Sequence, residues 1–284
     1  MLTFINAISV LLPVFYIIVF IDYALLFFRD DPFAYKTVNL FLKITISLHV
    51  ILIILRTSIL QHIPISSIFE VLSAIALAIV IVYLYVEEIT RIKTTGLFII
   101  AFVFLFQLIS SIFITMNVEI NHLLSNKFFG IHVTFAIFGY SAITISAIYG
   151  FLYLMMYHDI KSSKFGLIYN RLPSLEILGS MNYNSALIAF ICITLAIIFG
   201  SIWSSMSINT YWNWDPKLIS VLITWIIFGF GIVSKKYFKL SGKKIAYISL
   251  LGFLIMLFSM LAVNLLFTTF HEFTYKEQEI FLFV

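Results

Sequence analysis

The chain consists of long apolar runs separated by short polar connections. The runs are apolar throughout, whereas β-barrel strands alternate polar and apolar residues, so the pattern predicts α-helices. About 20 largely apolar residues are enough for a helix to cross a bilayer. We therefore predict an all-α polytopic membrane protein, a bundle of about eight transmembrane helices in one integral membrane domain over residues 1–284. The predicted spans are residues 4–28, 37–60, 67–86, 96–116, 132–156, 183–203, 217–234 and 245–270.

Composition narrows the class of protein. Of the 284 residues, 62% are hydrophobic and 11% are charged, and the mean hydropathy is +1.11. A soluble domain is about 25% charged. These values exclude a soluble enzyme, a disordered chain and an ordinary nucleic-acid-binding domain. The single cysteine, Cys192, excludes a disulfide within the chain, and no CxxCH motif is present, so the chain is not itself a c-type cytochrome.

The distribution of Lys and Arg predicts the orientation in the membrane. Twelve of these residues lie in the connections after spans one, three, five and seven, and three lie on the opposite side, namely Lys127, Lys217 and Lys276. Basic residues concentrate on the inner side of membrane proteins. Both termini are therefore predicted to face outward, together with the second, fourth and sixth connections. The first 28 residues contain no Lys or Arg, so we expect the first run to be retained as a span rather than cleaved as a signal peptide.

The sixth connection, over residues 200–217, is unusually rich in aromatic residues. It contains Trp203, Tyr211, Trp212 and Trp214, and it is predicted to face outward. One interpretation is an aromatic belt at the membrane interface. The other is a flat apolar platform for a ligand such as a porphyrin, because indole rings supply a large apolar area and an N–H donor. The residues alone leave both open.

Asp215 and Pro216 end this connection. Asp is a favoured N-cap and Pro suits the first position of a helix, so the pair is best explained as the start of span seven. A carboxylate at this position could also orient a ligand, but a capping role requires none.

Two histidines are predicted to lie at the same level as the aromatic connection. His132 begins span five and His271 ends span eight, both on the outer side. Two neutral imidazoles can ligate a haem iron axially; the alternative is that each is a solvated helix terminus. Small residues continue the helical face of His132, which predicts that this face packs inside the bundle; they are Ala136, Gly139, Ser146 and Gly150.

A third histidine, His49, lies in the middle of span two with Arg56 on the same helical face. Ionisable groups inside a membrane indicate function by default. The alternative is a neutral imidazole that a neighbouring helix satisfies. Glu70, near the outer end of span three, is a possible partner for Arg56. We assign no chemistry to the remaining histidines, His62, His122 and His158.

These residues carry a resemblance to a known family. The run from Trp212 to Lys217, Trp-Asn-Trp-Asp-Pro-Lys, resembles the tryptophan-rich "WWD" signature of the cytochrome c assembly family, which has CcsA, ResC, CcmC and HemX-like types. Further similarity surrounds His132, extends over Gly200 to Trp203, and ends at Asn264-Leu-Leu before His271. The Asp-Pro-Lys ending and the eight predicted spans are more similar to the CcsA type than to the six-span CcmC type.

The resemblance implies a haem-handling protein and a site for that haem. It implies that haem b is bound transiently at the outer face, with His132 and His271 as axial ligands to the iron. The residues implied to surround the haem are Trp203, Tyr211, Trp212, Trp214 and Asp215. None of these is implied to be an acid–base catalyst, because the implied mechanism is binding and orientation.

The resemblance also implies partners and a location. The chain would be a subunit of a cytochrome c synthase (haem lyase) of system II, with a CcsB/ResB-like membrane partner. The complex would present haem to the CxxCH thiols of an apocytochrome c. The implied location is the cytoplasmic membrane of a bacterium, with a thylakoid membrane as the second choice.

One departure from the family pattern leaves an alternative open. CcsA-type chains tend to carry another histidine in the span after the tryptophan-rich connection, but residues 230–234 contain none. The alternative is a HemX-like membrane protein that regulates haem biosynthesis and has no synthase activity.

Overall fold

The computed structural model describes residues 2–65, 67–114, 126–163, 165–212 and 214–263, and all regular structure in these ranges is helical. The prediction of an all-α protein is confirmed. In chain order the α-helices are α1 (Leu2–Arg29), α2 (Pro32–Leu60), α3 (Ile68–Thr90), α4 (Gly96–Phe113), α5 (Lys127–Lys161), α6 (Leu167–Arg171), α7 (Leu175–Ile208), α8 (Pro216–Phe238) and α9 (Gly242–Phe258), and a π-helical turn (Ser259–Val263) follows α9.

Eight of these helices are long and apolar enough to cross a membrane, the exception being the short connector α6. The chain is therefore a multi-pass membrane protein, as predicted. Which side each end faces stays a prediction from the distribution of Lys and Arg. We use "outer end" for the end of the bundle that holds residues 61–65 and 209–212.

Several helices begin earlier than the spans predicted from hydropathy, and capping residues explain where they start. The Asp31 carboxylate caps α2 by accepting from the backbone N–H groups of Phe33 and Ala34, each at 2.9 Å. Asn126 caps α5 by accepting from Phe128 N at 2.9 Å. Because α5 begins at Lys127, His132 lies in its second turn and does not begin the helix.

Helix α5 is the centre of the bundle. Its apolar window is 67% buried, compared with 22% for α7 and for α8. On one side it packs against a core formed with α1–α4, and on the other against a smaller core formed with α7, α8 and α9. The outer ends of α5 and α7 therefore lie side by side, and the candidate site is formed there.

The small residues of α5 face the bundle, as predicted. The Ser146 hydroxyl lies 3.0 Å from the Ser249 hydroxyl of α9, and the Asn182 amide of α7 donates to Ser146 O at 2.7 Å. A Cβ atom at Gly139 would lie 3.1 Å from the Ile193 side chain. These contacts fix the rotation of α5, and through it the direction of His132.

Candidate functional site

His132 is positioned by a hydrogen bond to the neighbouring helix. Its Nδ1 lies 2.7 Å from the backbone carbonyl oxygen of Ala196 in α7. A carbonyl oxygen can only accept, so Nδ1 carries the proton and, in the neutral ring, Nε2 carries the lone pair. Histidines that bind metals usually donate their other ring N–H to a carbonyl or carboxylate in this way, which fixes the ring and raises its basicity.

Gly200 provides the space in which this ring lies. It follows Ala196 by one turn of α7, and a Cβ atom at Gly200 would lie 2.6 Å from His132 Nδ1 and 2.9 Å from Cε1. Such distances are too short for non-bonded atoms, so any other residue would displace the imidazole. Glycine at position 200 is thus required by the close approach of His132.

Aromatic rings connect His132 to the tryptophan-rich segment. The Phe129 ring centroid is 6.3 Å from that of His132 and 4.9 Å from that of Trp203. Beside them, Phe135 of α5 stacks on Phe199 of α7 with centroids 5.8 Å apart and planes 4° apart. The sequence analysis did not identify Phe129. Its signal was its place one turn before His132 on the same helix.

The four aromatic residues predicted to surround a ligand are in two different environments. Trp203 and Trp212 are partly buried, and the Nε1 atom of each is buried with no hydrogen-bond partner among the described residues. In contrast, Tyr211 is 72% exposed and Trp214 is 74% exposed. The Trp212 and Trp214 rings meet edge to face, with centroids 5.7 Å apart. The structure therefore connects Trp203 to His132 through the Phe129 ring and leaves Tyr211 and Trp214 at the surface.

Asp215 has the capping role that the sequence favoured. It is the N-cap of α8, with Pro216 in the first turn, and its carboxylate accepts from Lys217 N at 3.4 Å. The residue is 5% exposed. Its position explains where α8 starts without a ligand.

The second predicted axial ligand, His271, lies outside the described residues, as does His122. The pairing of His132 with His271 therefore stays a prediction. Within the described ranges, no group of three or more His, Cys, Asp or Glu side chains could hold a metal ion.

His49 is a structural residue of the α1–α4 core. The Ser73 hydroxyl donates to Gln107 Oε1 at 2.9 Å, so Ser73 must accept from His49 Nε2–H, 2.9 Å away. His49 Nδ1 then accepts from the Tyr16 hydroxyl at 2.8 Å. Both ring nitrogens are used within the protein, which favours the neutral, satisfied imidazole over a functional one.

Arg56 and Glu70 form the ion pair that was suggested from the sequence. Arg56 Nη2 is 2.6 Å from Glu70 Oε1, and the two side chains are 2% and 5% exposed. The Arg56 guanidinium is therefore buried within the bundle. Of the other histidines, His62 is buried, with Nδ1 2.7 Å from Ile63 O, and His158 is exposed near the opposite end of α5 from His132.

Comparison with known proteins identifies a family-level match. The model of the family described as "Cytochrome C assembly protein" matches residues 65–271, which is well over half of the chain. This range includes α3 to α9 and both predicted axial histidines. It covers the resemblance drawn from the residues around Trp212.

Curated proteins called "Cytochrome c biogenesis protein CcsA" are similar to the chain. The protein from Guillardia theta is 28% identical over 158 residues, covering 50% of this chain and 52% of the relative. The protein from Mesostigma viride is 23% identical over 230 residues, covering 72% and 75%. The protein from Panax ginseng is 35% identical over 98 residues, covering 34% and 31%. The chain thus spans about half to three quarters of the length of the first two.

Proposed function

The chain belongs to the cytochrome c assembly protein family, and we propose that it holds haem at the outer face of the membrane for attachment to an apocytochrome c. A role in cytochrome c biogenesis follows from the family and from the CcsA relatives. To this role the proposal adds the binding site at His132, haem as the molecule that is held, and its attachment to the apocytochrome as the step that is served. The observation that carries it is the hydrogen bond from His132 Nδ1 to Ala196 O.

That hydrogen bond prepares His132 to ligate the iron of a haem. It selects the tautomer with the lone pair on Nε2 and holds the ring between α5 and α7. An imidazole fixed in this way loses little freedom on binding and keeps its basicity, as second-shell contacts do for other metal-bound histidines. We propose His271 as the ligand on the opposite face of a transient bis-histidine haem b, as the family resemblance implies.

The residues around His132 fit the chemistry of haem. Haem has broad apolar faces and two propionate carboxylates. Phe129 and Trp203 provide apolar area next to the imidazole. The indole N–H groups of Trp203 and Trp212 have no acceptor among the described residues, and a buried donor without a partner indicates a missing acceptor. We propose that they donate to the propionates, and that the exposed Tyr211 and Trp214 cover the haem or contact a partner protein.

The reaction served by this site is thioether formation. The sulfur of each CxxCH thiol bonds to a haem vinyl carbon, and the thiol proton goes to the other vinyl carbon. The addition needs reduced iron and free thiols, and it needs the vinyl groups held next to the apocytochrome. This chain contributes binding and orientation, and we propose that a CcsB/ResB-like subunit completes the synthase. The proposed location is an energy-transducing membrane, with the bacterial cytoplasmic membrane as the predicted case and the thylakoid membrane as the alternative.

Spectroscopy of the purified protein tests the axial assignment. We expect the protein purified with haem to show Soret and α bands of a six-coordinate haem, and His132→Ala to lose or shift them. His158→Ala is the matched control, because it removes an imidazole from the same helix near its other end. If His132→Ala and His132→Ala/His271→Ala both keep the wild-type spectrum, the axial assignment is wrong.

The HemX-like alternative is not favoured, because the curated relatives compared above all carry the CcsA name. Co-expression separates the two functions directly. With a ResB-like partner and an apocytochrome c, a synthase subunit yields covalent haem in a denaturing gel stained for haem. A purely regulatory protein yields none.

A further inference from the structure

A second feature of the outer end is an apolar groove that the haem site described above does not use. It lies between the connection from α2 to α3 and the first turns of α5, and its volume is about 490 Å³, within the usual range for ligand sites. Its lining is almost entirely apolar and comes from Ile63, Lys127, Gly130, Ile131, Thr134 and Phe135. The Thr134 hydroxyl donates to Gly130 O at 2.7 Å, so this polar group is satisfied within the helix.

Gly130 is the unusual residue in this groove. A glycine inside a helix costs about 1 kcal/mol relative to alanine. Elsewhere in the described helices the cost is explained, because a Cβ atom at each glycine would meet a neighbouring side chain or backbone within 4 Å. At Gly130 a Cβ atom would meet nothing within that distance. Packing within the described chain therefore does not require a glycine there, whereas a ligand lying close to the helix backbone would.

The charge at the edge of the groove limits the chemistry of the ligand. Lys127 is exposed at the start of α5 and is the only charged residue of the lining. An apolar groove with one cation at its edge suits a molecule with an apolar body and a carboxylate or phosphate at one end. Haem and an anionic phospholipid both have this character.

The groove lies next to the His132 site along α5. Gly130 and Ile131 directly precede His132, and Phe135 stacks on Phe199, which is adjacent to Gly200 under the imidazole. A molecule in the groove would thus lie against the same turn of α5 that carries the proposed iron ligand. This proximity favours haem over a phospholipid as the occupant.

We propose that the groove is a loading site for haem, which holds one apolar face of the macrocycle against Gly130, with a propionate near Lys127, before His132 binds the iron. This inference rests on the proposed function. It adds a lateral path by which haem reaches the outer site from the surrounding lipid, along α5.

Filling the groove tests the inference. The protein is purified without haem in nanodiscs of phosphatidylcholine and titrated with haemin, and the Soret band is followed over time. We expect Gly130→Phe to slow loading and weaken binding by about tenfold, equivalent to about 1.4 kcal/mol, while the final band position stays that of wild type. Gly130→Ala should have a smaller effect of the same kind. Gly166→Phe is the control, because a Cβ atom at Gly166, just before α6, would also meet nothing within 4 Å and this residue does not line the groove. Lys127→Gln should weaken loading less and reduce its dependence on salt.

The outcomes separate this inference from the proposed function. Wild-type loading in both Gly130→Phe and Lys127→Gln overturns the groove but leaves the His132 site intact. Loss of bound phospholipid from Gly130→Phe in native mass spectrometry, with unchanged haem loading, overturns it in favour of a lipid. A wild-type spectrum in His132→Ala contradicts the proposed function itself. If Gly130→Phe melts at a lower temperature than Gly130→Ala, its slower loading could come from lost stability. The Lys127→Gln variant then decides whether the groove loads haem.

Discussion

Two polar clusters of the bundle differ in whether their hydrogen bonds are made within the protein. In the core of α1–α4, Tyr16, His49, Ser73 and Gln107 form one chain of hydrogen bonds with every donor directed to an acceptor. At the outer ends of α5 and α7, the N–H groups of Trp203 and Trp212 have no partner within the described ranges. Both regions contain a histidine in a membrane-spanning helix, so a histidine in a span does not by itself indicate function.

The difference separates a polar cluster that the protein itself satisfies from two donors near His132 that we propose serve a ligand. A buried polar network stabilises a structure only when its members are satisfied. The Tyr16–Gln107 chain in α1–α4 is satisfied by the protein and is expected to stabilise it. Some other buried polar atoms of these helices have no partner among the described residues, such as Ser9 Oγ, Asn39 Oδ1 and Ser110 Oγ. The unpartnered donors near His132 reduce the stability of the ligand-free protein and become useful when an acceptor arrives. Mutations should therefore affect folding in the first region and haem binding in the second.

The largest expected effect is on folding, at the ion pair of Arg56 and Glu70. Removing one partner leaves a buried charge without its counter-charge, so Arg56→Met should lower the free energy of unfolding by about 3–5 kcal/mol. The double variant Arg56→Met/Glu70→Leu should recover most of that loss, because neither charge remains. Thermal unfolding in mild detergent measures both variants. The assignment of this ion pair to folding is wrong if Arg56→Met is as stable as wild type. It is also wrong if Arg56→Met folds normally and alters the haem spectrum.

Much of the fold could be predicted from the sequence. The eight helices follow from eight apolar runs, and the pairing of Arg56 with Glu70 follows from two opposite charges at one depth in neighbouring spans. The start of α5 at Lys127 was missed, because the hydropathy window overlooked the Asn126 cap and the aromatic first turn.

The candidate site was less predictable, for physical reasons. The acceptor of His132 is the backbone carbonyl of Ala196. Every residue has such a carbonyl, so the residue type at this position does not indicate the hydrogen bond. The separation of Trp203 from Tyr211 and Trp214 depends on the path of the connection after α7, which composition does not determine. Gly200 belongs to a segment that resembles the family. The reason for a glycine there is the close approach of the His132 ring, and this is seen only in the packing of α5 on α7.

An intermediate effect is expected at Gly200, on the haem site and little on folding. The methyl group of Gly200→Ala would overlap His132 Nδ1, so the ring must turn and give up its bond to Ala196 O. We expect haem binding to weaken by about tenfold, equivalent to about 1.4 kcal/mol, with a shifted Soret band. Haemin titration measures the change. Gly166→Ala makes the same substitution just before α6, where a Cβ atom would meet nothing within 4 Å, and should leave the band position unchanged; equal shifts in the two variants would mean that the His132 contact is not responsible.

The smallest expected effects are on stability, and they compare the same substitution at two tryptophans. Stability should fall at one of them and should not fall at the other. Trp225 Nε1 donates to Thr194 Oγ1 at 2.8 Å, so Trp225→Phe should lower the free energy of unfolding by about 1 kcal/mol and leave haem binding unchanged. Trp203→Phe removes a buried donor that has no partner among the described residues. It should leave the haem-free protein as stable as wild type, or up to about 1 kcal/mol more stable, and weaken haem binding several-fold. Thermal unfolding without haem measures the stability of the two variants, and haemin titration measures their haem affinity. If Trp203→Phe destabilises the haem-free protein as Trp225→Phe does and leaves haem binding intact, its N–H group belongs to the fold and the distinction between the two regions fails there.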